Sequence, residues 1–220
     1  NALNQGVRNA NDAISLIQTA DGALGVIDEK LVRMKELAEQ AATGTYDSTQ
    51  RLMIESEYQQ MASEITRIAN ATDFNGLKLL DGTLSSDTHD GSGMVSTGKM
   101  KIHFGVENDS AEDYYYIQIG SATASSLGVG NSASEDSAAY TVSTQEAAQK
   151  ALVGITSAIV SKDNIRAHLG ALQNRFENTI TNLTTQAENL QAAESRISDV
   201  DVATEMTNFV RNQILTQSAV

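Results

Sequence analysis

Apolar residues recur at steps of seven from Leu3 through Ala10, Ile17, Leu24, Leu31 and Ala38. A second column three residues on runs through Ala13, Ala20, Ile27, Met34 and Ala41. Val7 and Ile14 widen this stripe early, whereas Asp21, Asp28 and Lys35 close the same side later. The apolar face therefore drifts slowly round the axis, as a 3.6-residue repeat does against a sevenfold frame. The pattern predicts one helix of roughly forty residues, near 60 Å long at about 1.5 Å per residue. Thr43-Gly44-Thr45 ends it, Gly44 suiting the left-handed position past a helix C-terminus. Asp47 or Ser48 can cap a second helix, whose stripe is Ile54, Tyr58, Met61, Ile65 and Ile68.

Asn75-Gly76 and Asp81-Gly82 are tight-turn dipeptides flanking Leu77-Lys78-Leu79-Leu80, which predicts a short strand and hairpin. From about Thr83 to Tyr140 the helical pattern gives way to Gly, Ser, Thr and Asp. Two strands are expected there, 99–104 and 114–119. In the first, Lys99, Lys101 and His103 alternate with Met100, Ile102 and Phe104, the pattern of a half-buried strand.

Ser143-Thr144-Gln145-Glu146 has capping-box spacing. After it, Ala148, Ile155, Lys162, Leu169, Phe176, Leu183, Leu190 and Ile197 form the most regular column in the chain, with Lys162 its one polar member. Such regularity belongs to coiled-coil-like packing. Lys162 can reach solvent along its stem or pair with an acid. Ser198-Asp199 breaks the pattern, and a last helix starts near Asp201. The fold predicted is mainly α, an elongated rod of long antiparallel helices with a small β-rich insert. Residues 1–82 and 143–220 are expected to form the two halves of the rod and 83–142 the insert. The two chain ends should lie at one end of the rod and the insert at the other. Arg33 and Leu37, four residues apart, share a helix face, with Leu37 expected beside the buried column rather than in it.

Composition narrows the functional classes. The chain has no Cys, Pro or Trp, and aromatics make up 5% of residues, which suits side-by-side helices and excludes disulfide and thiol chemistry. A formal charge of -13 argues against nucleic-acid backbone as a partner and against anionic membranes. No apolar run is long enough to span a bilayer. His89, His103 and His168 stand at no metal-ligand spacing. Asp87-Thr88-His89-Asp90-Gly91 lacks the alternating acids and final glutamate of a calcium loop, and Gly91-Ser92-Gly93 lacks the third glycine of a dinucleotide loop. No cofactor, metal site or catalytic constellation is expected.

Several segments resemble bacterial flagellins. They are Arg8-Asn9-Ala10-Asn11-Asp12-Ala13-Ile14-Ser15, Gln18-Thr19-Ala20-Asp21-Gly22-Ala23-Leu24, Arg33-Met34-Lys35-Glu36-Leu37-Ala38 and Thr72-Asp73-Phe74-Asn75-Gly76. The C-terminal half adds Leu169-Gly170-Ala171-Leu172-Gln173-Asn174-Arg175-Phe176, Glu194-Ser195-Arg196-Ile197-Ser198-Asp199 and Gln213-Ile214-Leu215. The matches keep family order across 1–82 and 143–220, while the middle stretch carries none.

The resemblance implies a structural, non-enzymatic role: a secreted subunit of the extracellular filament that drives motility. It further implies terminal helical segments beyond Asn1 and Val220 that pair in the filament's innermost layer and engage an export chaperone. A second implied role is as ligand of the flagellin-sensing Toll-like receptor of innate immunity, through Arg33, Leu37 and Glu57. Lys35 stands where many members have arginine. The Ser/Thr-rich insert has a composition open to O-linked sugars. A secreted helical adhesin or effector is the alternative; it would share the rod and the acidity but not these segments in order.

Overall fold

The computed structural model describes residues 2–94, 96–110, 112–130, 139–198 and 202–218. Helix α1 (Ala2–Ala42) and helix α3 (Gln145–Ser198) run antiparallel and pack over most of α1's length. The shorter α2 (Ser48–Ala71) folds back on α1, and α4 (Val202–Ser218) follows α3. Between α2 and α3 lie three antiparallel two-stranded ribbons: β1 (Asp73–Phe74) with β2 (Leu77–Lys78), β3 (His89–Asp90) with β4 (Thr97–Gly98), and β5 (Met100–His103) with β6 (Tyr114–Ile117). This is the mainly α rod with a small β-rich excursion that the periodicity predicts. The expected break at Asp199 lies outside the described residues.

Local chemistry accounts for the ends. Asp47 caps α2 in a reciprocal box with Gln50, each side chain reaching the other's backbone N–H. At α3 the cap is Thr144, whose Oγ1 accepts from Ala147 N–H at 3.1 Å. Glu146 pairs with Lys150 instead of closing a box. Asn75 and Gly76 take positive φ values of 53° and 81° between β1 and β2, the primed turn that matches strand twist.

Gly44, by contrast, is not left-handed. The carbonyl of Ala41 in the last turn of α1, and those of the turn beyond it, are satisfied from α2. Arg51 donates to the carbonyls of Ala41 at 2.9 Å, Thr43 at 3.2 Å and Tyr46 at 3.1 Å. A charged fork supplied by the next helix does what the glycine was expected to do.

The insert is not at the far end of the rod. Asn9 on α1 donates to the carbonyl of His103 at 2.7 Å, and a Cβ on Gly6 would stand 1.9 Å from the carbonyl oxygen of Phe104. Helix-interior glycine costs about 1 kcal/mol against alanine; here it admits the insert's backbone. The other end of the insert is pinned to α2. Tyr58 Oη donates to the carbonyl of Ala139 at 2.6 Å, and Glu55 accepts from Val142 N–H at 2.6 Å.

Length explains this arrangement. α2 has 24 residues against 41 in α1, about 36 Å against about 62 Å of helix. Below the end of α2 the flank of the α1–α3 pair needs another cover. Phe104, Ile117, Ile119, Ala122 and Val129 provide it, all buried in one cluster with both long helices. Leu84, which opens the insert, is only 6% exposed and belongs to the same core.

The α3 column is buried from Ala148 through Leu183 and then ends: Leu190 is 61% exposed, and the side chain of Ile197 lies outside the described residues. At this end Leu3 and Asn4 of α1 lie beside Ala187, Leu190, Gln191 and Glu194 of α3. Inside the seam, Lys162 is 2% exposed and its Nζ lies 2.6 Å from Asp28 and 2.7 Å from Asp163. One turn on, Arg166 bonds both carboxylate oxygens of Asp21 at 2.7 and 3.1 Å.

These cross-helix pairs set the α1–α3 register, because a slip would strand Lys162 among apolar side chains. The hydrogen-bonded guanidinium of Arg166 holds the Asp21 carboxyl below the usual carboxylate range. The resulting contribution to stability is present above an ordinary carboxylate pKa and is lost as pH falls through the lowered value.

Lys162→Met keeps the buried stem's volume and leaves Asp28 with solvent access, so it is expected to cost less than about 1.5 kcal/mol. Lys162→Glu sets a third acid against Asp28 and Asp163 in the seam and should cost about 3 kcal/mol or more. Urea denaturation checks both, and equal losses would show that the ion pairs and not the packing hold this position.

Candidate interaction surface

The three residues singled out by resemblance separate into two kinds. Arg33 on α1 and Glu57 on α2 meet across the helix pair: Nη2 and Nε of Arg33 lie 2.6 and 2.8 Å from Glu57 Oε1. Nη1 of Arg33 also bonds Glu36 at 3.0 Å. The side chains of Arg33 and Glu57 keep 47% and 44% of their surface open. The two acids raise the Arg33 guanidinium above its ordinary value, Glu57 contributing most. An exposed pair of this kind adds little to stability; its effect is to hold a cation and two anions in one fixed arrangement.

Leu37 is not part of that surface. It is 1% exposed, in the core with Met34, Ala38 and Ala41, which corrects the expectation that it stands beside the buried column. The column was counted for one packing partner. The last third of α1 has two, α3 along one side and the first half of α2 along the other, as the Arg51–Ala41 and Arg33–Glu57 contacts show. A helix buried on two sides hides a wider stripe. An exposed apolar residue on the helix face of Glu57 is instead Met53, one turn before it. That spacing was legible in the sequence, but nothing in it marked Met53 as outward.

Among the described residues, no three His, Asp or Glu side chains gather as a metal group, and no helix is long and apolar enough to cross a membrane. His168 is exposed beside a shallow cavity of about 310 Å³ shared with Ser85, Gln118, Gly120, Asn164 and Ile165. His89 and His103 lie in the β-ribbons, bonded to the backbone carbonyls of Lys99 and Glu107 at 2.7 Å each.

Two family models match the chain. The bacterial flagellin N-terminal helical region covers residues 1–85 and the bacterial flagellin C-terminal helical region covers 152–220. The flagellar filament 30.7 kDa core protein of Treponema maltophilum is 38% identical over 218 residues, 99% of this chain and 73% of that protein. Flagellin of Bacillus subtilis (strain 168) is 38% identical over 233 aligned residues, 99% of this chain and 75% of the relative. Both alignments run through the insert. The crystal structure of Bacillus cereus flagellin superposes with a TM-score of 0.62 at 30% identity, covering 85% of this chain and 94% of that one. With both helical regions matched in order and the rod reproduced in a solved relative, this chain belongs to the bacterial flagellin family.

Proposed function

We propose that the chain is a structural subunit of the extracellular flagellar filament, packing beside other flagellin subunits after passage with an export chaperone. Residues 1–82 and 143–220 are read as two halves of one rod domain, with 83–142 completing its flank. The observation that supports assembly is a strip of exposed apolar side chains among the described residues. Leu190 on α3 and Met206, Phe209, Val210 and Ile214 on α4 are all exposed, the α4 residues at steps of three and four. A helix with one open apolar stripe is completed by another helix, and the relatives include filament core proteins.

Introducing Phe209→Asp with Ile214→Asp should prevent filament growth in cells that build filaments from this chain, as counted by electron microscopy. Filaments of normal length would remove α4 from the assembly surface. A secreted helical adhesin would share the rod but gives no reason for both flagellin regions to match.

The same reading includes recognition by the flagellin-sensing Toll-like receptor through the Arg33–Glu57 face. Support comes from the geometry: a planar guanidinium held between Glu57 and Glu36 beside exposed Met53 presents a charge-patterned patch with an apolar edge, the composition of a binding hot spot. Leu37 serves from beneath, packing α1 against its neighbours so that Arg33 and Glu57 keep their spacing. Arg33→Ala is expected to weaken binding to the receptor ectodomain by about 2 kcal/mol or more with thermal stability unchanged. Surface plasmon resonance alongside circular dichroism measures both. Full affinity for the Arg33→Ala chain would move the receptor site elsewhere.

A further inference from the structure

The β5–β6 ribbon divides its side chains by alternation. Tyr115 and Ile117 turn inward, Tyr115 against Phe104 and Phe176 with the Arg175 guanidinium 3.5 Å over its ring. Tyr114 and Tyr116 stand on the opposite face, where cross-strand register sets them beside His103 and Lys101. The chain has only six tyrosines and four phenylalanines, so two rings spent on an outer strand face call for a use.

The outer face is a continuous row of rings. His103 and Tyr114 stack at 6.1 Å, Tyr114 and Tyr116 meet edge to face at 5.4 Å, and Tyr116 meets His89 of β3 at 5.4 Å. Two ammonium groups sit on it: Lys101 Nζ lies 3.6 Å from the Tyr114 ring centre and Lys99 Nζ 4.6 Å from that of Tyr116. Cation–ring attraction holds these charges at the surface instead of letting them swing free. Lys101 also reaches Asn108 Oδ1 at 3.2 Å. In the loop beyond His103, the Asp113 carboxylate is turned to its own turn, accepting from Asp109 N–H at 2.8 Å. All six side chains in the row are partly open to solvent.

We propose that this face binds an acidic polysaccharide. A half-open row of rings takes the C–H faces of successive sugar units, tyrosine hydroxyls meet sugar hydroxyls, and the fixed ammonium groups pair with carboxylate or sulfate. A single anion would need one cation; cations repeated along a row of rings fit a repeating anionic chain. The whole-chain charge of -13 repels polyanions at long range, so attraction here is local and depends on the ring–lysine geometry. The same charge disfavours nucleic acid, which draws its affinity from extended phosphate neutralisation.

Calorimetric titration of the full chain tests this, using polygalacturonate and heparin oligosaccharides as carboxylated and sulfated probes, dextran as the neutral control and oligothymidylate as the competing class. Binding of either acidic sugar, without binding of dextran, is expected. The Lys99→Gln, Lys101→Gln double variant and, separately, Tyr114→Ser should each weaken it by about tenfold or more, close to 1.4 kcal/mol. Circular dichroism guards against unfolding, and Tyr114→Phe, which keeps the ring, should retain most of the affinity. The proposal is overturned if neither acidic sugar binds, if binding survives the double variant unchanged, or if dextran or oligothymidylate binds as tightly.

Discussion

Phe176→Ala is expected to lower the unfolding free energy by about 3–5 kcal/mol, the usual loss when a fully buried ring is cut back to a methyl group. Phe176 is wholly buried in the middle of the α3 column. Its ring also meets Tyr115 of the insert edge-on at 5.7 Å, and Tyr115 in turn packs on Phe104 and carries Arg175 over its ring. The truncation therefore loosens the α1–α3 seam and the attachment of the insert together. Chemical denaturation should show a single shifted transition with an unchanged slope. Two separate transitions would mean that the insert unfolds independently of the rod. The burial of Leu84 in the same core gives a companion expectation. Leu84→Ala should cost about 2 kcal/mol or more.

Leu37→Ala is expected to cost about 2–5 kcal/mol as well, because the side chain is enclosed where α1 has neighbours on two sides. Its consequence for recognition follows from that burial. A cavity beneath Arg33 lets α1 and α2 shift, which disturbs the 2.6 Å contact between Arg33 and Glu57, so affinity for the proposed receptor should fall together with stability. Leu37→Met, which refills the volume, should restore both to within about 1.5 kcal/mol. Affinity lost with no change in the melting curve would instead mean that Leu37 touches the receptor directly. Surface plasmon resonance and thermal unfolding on the same three proteins separate these outcomes.

Sequence alone determined the helical architecture. Heptad columns marked α1 and α3, the Asp47 region marked the start of α2, and Asn75-Gly76 marked the first ribbon, because periodicity and turn chemistry are local properties of neighbouring residues. Alternation also located β5 and β6 to within two residues. The family was legible too, since ordered segments survive in both halves, whereas the pairing of Arg33 with Glu57 appeared only in the structure.

What only the tertiary structure decided was how many partners each stripe has. Leu37 is buried in the stretch of α1 against which α2 as well as α3 packs. Leu190 is exposed although it continues the α3 column. Arg51 caps α1 because the chain brings it back across Ala41. The insert lies along the rod because α2 is too short to cover the flank. Each of these depends on distances between elements far apart in the chain, and a one-dimensional pattern records which face is apolar without recording what is available to cover it.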